Sequence, residues 1–135
     1  MTGPSSKQLL QALLTIGGGV AIATGIFTVA AGADGVPGDN AASASVESEL
    51  RFFAVFWIAY GVALLRVAPR VDTATWAVRA LVGILFVAGL ARGLAWAMSG
   101  RPHGLFVALM VIELVAPPLI VVWQSRLAAA RSPSP

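Results

Sequence analysis

The sequence predicts an all-α fold, an integral membrane four-helix bundle, and three observations carry that prediction. Of the 135 residues, 58% are hydrophobic and 11% charged, about half the charged share of an average soluble domain. Nine Lys and Arg with six Asp and Glu are too few to cover so small a globule in water, because a short chain has a large surface for its volume. Second, four apolar segments approach or exceed the roughly 20 residues that a helix needs to cross a hydrocarbon core about 30 Å thick. Third, the cations stand singly near the ends of those segments, a pattern that sets membrane topology and leaves no clustered basic patch for nucleic acid. Lipid is the expected surroundings, and nucleic acid is not an expected partner. Cysteine is absent, which excludes disulfides, thiolate catalysis and Cys-ligated metal centres.

The spanning domain is expected over residues 1–126, with helices at about 9–33, 50–68, 74–98 and 104–124. The first has no charge from Leu9 to Ala33. Lys7 before it and Ala31-Gly32-Ala33 at its end resemble a secretory signal, but signal cores run to roughly 7–15 residues, so this segment is read as a retained span. The second is 14 residues of uninterrupted apolar sequence, Phe52 to Leu65, lengthened by Arg51 and Arg66, whose stems can lie along the helix while their heads reach water. The third contains Arg79 and Arg92; the fourth contains Glu113 and Pro117-Pro118, which are expected to kink or locally unwind it. The connectors are rich in Gly, Pro, Ser and acid, and the one from Asp34 to Glu49 is long. Residues 127–135 read as a disordered tail.

Lys7, Arg66, Arg70, Arg79, Arg126 and Arg131 fall on one side of the membrane, against Arg51 and Arg101 on the other. Cytoplasmic loops carry the excess of cations, so both termini are expected in the cytoplasm. Trp76 and Trp123 then fall at the inner interface and Trp96 near the outer one.

Arg92 and Glu113 are the informative residues. Each costs on the order of 2.5–3.5 kcal/mol near the centre of a bilayer on insertion scales. Counted from Met98 and Gly104, they lie roughly 9 and 13 Å below the same face. The short connector makes their helices antiparallel neighbours, so a charge-assisted hydrogen bond between them is expected. Trp57 and Tyr60 on the second helix lie at similar depths; Trp57 could offer its ring to Arg92 and Tyr60 its hydroxyl to Glu113. Arg51, Glu49, Arg101 and His103 would ring the mouth of this layer, with Trp96 one turn beyond Arg92. Two consequences are open: the pair could fix helix register alone, or Arg92 could anchor an anionic or amphipathic ligand.

Small residues at helix-packing spacing, Gly17, Ala21 and Gly25 on the first helix and Gly89, Gly93 and Ala97 on the third, are expected to let helices approach closely, inside the bundle in preference to contact with a second copy. Gly17-Gly18-Gly19 is no phosphate loop, since it follows no strand and lies in an apolar run. No metal-ligand spacing, nucleophile motif or intramembrane carboxylate pair is present, so neither an enzyme nor a cofactor is expected.

Glu49-Leu50-Arg51-Phe52, Tyr60-Gly61, Gly89-Leu90-Ala91-Arg92, Gly100-Arg101-Pro102 and Glu113-Leu114 together resemble the small bacterial membrane proteins grouped as domain of unknown function 4345, from about Leu9 to Arg126. The resemblance implies a four-helix protein of the bacterial cytoplasmic membrane and no established activity; the stretch from Gly32 to Ser48 has no match in it. The functional expectation is non-catalytic: binding of a lipid or other amphipathic small molecule, or service as an accessory subunit beside a membrane-protein partner or a second copy. The alternative is a small-solute or ion transporter with Glu113 as the titrating group.

Overall fold

The structure, a computed structural model, describes residues 5–38 and 41–131, with the backbone alone at 131. It contains four long helices, α1 (Ser6–Ala31), α2 (Ala44–Val67), α3 (Thr75–Ser99) and α4 (Gly104–Arg131), and no strand among the described residues. All four are long and apolar enough to cross a membrane.

Local chemistry explains where each begins. Ser5 and Gln8 form a reciprocal capping box at α1, Gln8 N donating to Ser5 Oγ and Ser5 N to Gln8 Oε1, which satisfies two of the N–H groups that a helix start leaves unpaired. Ser43 caps α2 by accepting from Val46 N, and Glu47 lies in the first turn, where the helix dipole favours an anion. The second helix therefore starts six residues before the expected position 50, and Glu47 and Glu49 are helical rather than in a loop. A 3-10 turn, Gly32–Gly35, and a shorter connector take the place of the long loop; Asp39 lies outside the described residues.

α4 runs unbroken through Pro117 and Pro118 with no unwound segment. Because neither proline has an N–H, the carbonyls of Glu113 and Leu114 lack their ordinary helical donors. The helix also continues through 127–131, where a disordered tail is expected. Leu127 packs on the core there, and Ser125 donates to Val121 O while accepting from Arg79 Nη2 at 3.0 Å. Residues 132–135 lie outside the described part.

The helices pair as two antiparallel hairpins, α1 with α2 and α3 with α4, which meet each other far less extensively. Within the first hairpin the backbones nearly touch: a Cβ on Gly61 would stand 2.6 Å from Gly18 O, and one on Gly25 3.0 Å from Ala54 O. The contact stripe is Gly18, Ala21 and Gly25, all buried, while Gly17 is exposed. On α3 a Cβ at Gly89 would meet Glu113 Cβ at 3.0 Å; Gly93 has more room and Ala97 is exposed. Without a hydrophobic driving force between helices in lipid, such small-residue contacts let dispersion and backbone proximity hold the hairpins together.

The hairpins join at one end only. We call the end holding Ser6 and the α2–α3 connector the terminal end, and the opposite one the distal end. Leu10, Leu14, Leu64, Val71, Val78, Val82 and Ile120 form the buried core, all toward the terminal end. Polar bonds reinforce it. Lys7 Nζ pairs with Asp72 Oδ2 at 2.9 Å, Trp123 Nε1 donates to Ser6 Oγ at 2.6 Å, and Gln11 Nε2 to Pro69 O at 3.0 Å. The fully buried Gln124 donates to Thr75 Oγ1 at 2.8 Å and to Val71 O at 3.3 Å. The most distal bond between the hairpins runs from Tyr60 Oη to Leu81 O, 2.9 Å. Beyond it, they share no hydrogen bond or ion pair among the described residues.

Candidate functional site

In the distal half, where the hairpins part, Arg92 on α3 and Glu113 on α4 meet. Arg92 Nε donates to Glu113 Oε2 at 2.7 Å, as the matched depths on neighbouring antiparallel helices predict. The two side chains are unequally placed, 37% exposed for Arg92 and 7% for Glu113. Close packing of Glu113 against Gly89 puts the carboxylate between the helices, while the longer arginine reaches past it. A guanidinium carries five N–H donors. With Nε on Glu113, the other four have no protein acceptor among the described residues; the guanidinium carbon stands 5.6 Å from the centre of the Phe106 ring, a cation–π distance.

The remaining residues of the expected layer divide among three places. Trp57 shares a cleft of ≈ 320 Å³ with Arg92 and Glu113, but its N–H goes to Thr24 Oγ1 at 2.9 Å and its ring stacks on Tyr60 with centroids 5.1 Å apart. Tyr60 spends its hydroxyl on Leu81 O, so neither expected bond, Trp57 ring to Arg92 or Tyr60 hydroxyl to Glu113, forms. Arg92 takes Phe106 instead, two helical turns before Glu113 on α4. Arg51 does not stand at the mouth: it pairs with Glu47, and its Nε donates to Val29 O at 3.1 Å. Glu47 Oε1 also accepts from Ala33 N at 3.0 Å. This arrangement fastens the end of α1, where Gly32 adopts φ +61 and a Cβ would collide with the Arg51–Glu47 pair. Glu49 and His103 are exposed, and His103 Nδ1 accepts from Leu105 N at the start of α4.

Trp96 and Arg101 do join Arg92. Together with Ser99, Pro102 and Phe106 they line a second cavity of ≈ 390 Å³ at the distal ends of α3 and α4. Arg92 thus lies in the lining of both hollows, the cleft between the hairpins and the cavity at the α3–α4 connector. The rest of the cleft is mainly apolar, with Leu50, Phe53 and Ala54 from the first hairpin opposite Ala88 from the second, and Thr28, whose hydroxyl is bonded to Thr24 O. Both volumes fall in the range of roughly 300–1,000 Å³ typical of small-molecule sites.

Two residues escape the sequence analysis, Phe106 in the site and Gln124 in the terminal-end core. Phe106 is in principle legible, because a spacing of seven places it on the same face of α4 as Glu113. Gln124 is not: a lone glutamine near a helix end carries no pattern that marks it as fully buried. No group of three or more His, Asp and Glu side chains able to hold a metal ion occurs among the described residues.

The apolar spans, the paired intramembrane charges and the hairpin packing define an integral membrane four-helix bundle. Residues 9–124 match the family described as a domain of unknown function (DUF4345), and the chain belongs to that family. No curated protein and no solved structure matches it.

Proposed function

We propose that the protein binds an amphipathic small molecule or lipid in the cleft between its hairpins, without catalysing a reaction on it. The supporting observation is the parting of the hairpins beside Arg92 and Glu113: an apolar hollow of ≈ 320 Å³ with one ion pair in its wall. An apolar lining with few convergent polar groups is the usual composition of a ligand site, and ionisable residues inside a membrane domain mark functional sites by default. The setting of this reading is a bacterial cytoplasmic membrane with both termini inside, which opens the distal half to the outer leaflet.

The test is mass spectrometry of what co-purifies in mild detergent, comparing wild type with Ala88→Phe, which fills the cleft from α3 and leaves both charged residues in the chain. A recurring amphiphile in the wild type, reduced severalfold in Ala88→Phe, supports the reading. A recurring protein with no small molecule overturns it in favour of an accessory-subunit role. Glu113-dependent, pH-dependent solute flux in proteoliposomes overturns it in favour of transport.

A further inference from the structure

The structure assigns a binding site for the headgroup of an anionic phospholipid, a phosphodiester with no cation of its own beside it, to the distal cavity, with Arg92 and Arg101 as its cations. This rests on the reading of the protein as an amphiphile binder and names the polar part of the ligand.

Four features of the ≈ 390 Å³ cavity carry the assignment. First, two arginines line it and no carboxylate does. Glu113 engages only Nε of Arg92 and does not line this cavity, and the four N–H donors of the two Nη groups have no protein acceptor among the described residues. Arg101 is exposed and likewise has no hydrogen bond or ion pair there. Second, the arrangement suits phosphate: a planar guanidinium presents paired donors that match two phosphate oxygens, and the two arginines less the charge of Glu113 balance the single charge of a phosphodiester. Third, the cavity occupies the distal end of α3 beside Gly100-Arg101-Pro102, where a spanning helix reaches headgroup level, and Trp96 in its wall is the residue type that favours that level. Fourth, Arg92 also lines the apolar cleft. An amphiphile can therefore set its phosphate against Arg92 and Arg101 and lay its hydrocarbon toward the cleft.

The glutamate has a defined part in this. Inside a membrane an unpaired arginine is costly, and Glu113 compensates it through Nε while leaving the Nη N–H groups for a ligand.

The experiment is native mass spectrometry of the full chain released from nanodiscs that contain equal amounts of phosphatidylglycerol and phosphatidylcholine with the same acyl chains. Expected is about a tenfold excess of retained phosphatidylglycerol, lost in Arg101→Gln and largely kept in Arg101→Lys, with unchanged melting temperature because Arg101 is exposed. Equal retention of the two lipids by the wild type, or a preference that survives Arg101→Gln, overturns the assignment. Displacement of the lipid by millimolar inorganic phosphate overturns it in favour of a free-anion site. If the lipid preference is absent while Ala88→Phe still lowers the amount of a co-purifying neutral amphiphile, the headgroup assignment fails alone. If both effects are absent, the cleft reading fails with it.

Discussion

Arg92 and Glu113 divide their work unequally, since the carboxylate is enclosed and the guanidinium is not. Removing one partner leaves the other charged in apolar surroundings, whereas removing both leaves neither. Arg92→Ala is expected to cost up to about 3 kcal/mol, the low end for breaking a buried pair because Arg92 is 37% exposed. Arg92→Ala with Glu113→Ala should recover part of the lost melting temperature in detergent. Strict additivity of the two changes would mean that the side chains do not interact. The depth of this pair is legible from sequence because residue counts fix height along a helix. The fates of Trp57 and Tyr60 are not, because height says nothing of rotation about the axis or of which carbonyl lies nearer. Tyr60 meets Leu81 O before it reaches Glu113.

Among the elements, α1 and α2 hold together by backbone proximity at Gly18, Gly25 and Gly61. Gly61→Ala drives a methyl against Gly18 O and is expected to lower stability by about 1–3 kcal/mol, the usual cost of overpacking. Gly83→Ala, where a Cβ meets nothing within 4 Å, should not lower it. Thermal melts of the two variants in one detergent make the comparison, and equal losses would contradict the close approach. The sequence displays the glycine-rich stripe but points to Gly17 where Gly18 is the contact residue. One position is 100° of rotation, which spacing among three adjacent glycines cannot resolve. The early start of α2 has a visible signal in Ser43 followed by Glu47. Hydropathy alone places the start later, because it follows the apolar run and ignores caps.

For the whole molecule, the number and order of spans follow from composition and length, while the one-ended junction of the hairpins does not. That junction depends on Trp123 reaching Ser6 and on Lys7 reaching Asp72, contacts between residues 117 and 65 positions apart. Orientation is open to direct measurement because the chain contains no cysteine. The cation distribution predicts that a membrane-impermeant maleimide labels Ser45→Cys on intact cells but labels Thr73→Cys only after permeabilisation. The reverse pattern would invert the topology and move the cleft to the cytoplasmic leaflet.

A body fastened at one end and parted at the other is expected to occupy unequal cross-sections in the two leaflets. Separating α1–α2 further from α3–α4 enlarges the distal footprint and breaks none of the bonds around Val71 and Gln124. Lateral pressure among the acyl chains of that single leaflet is therefore expected to act on the width of the gap, while crowding in the opposite leaflet bears on a seam already closed.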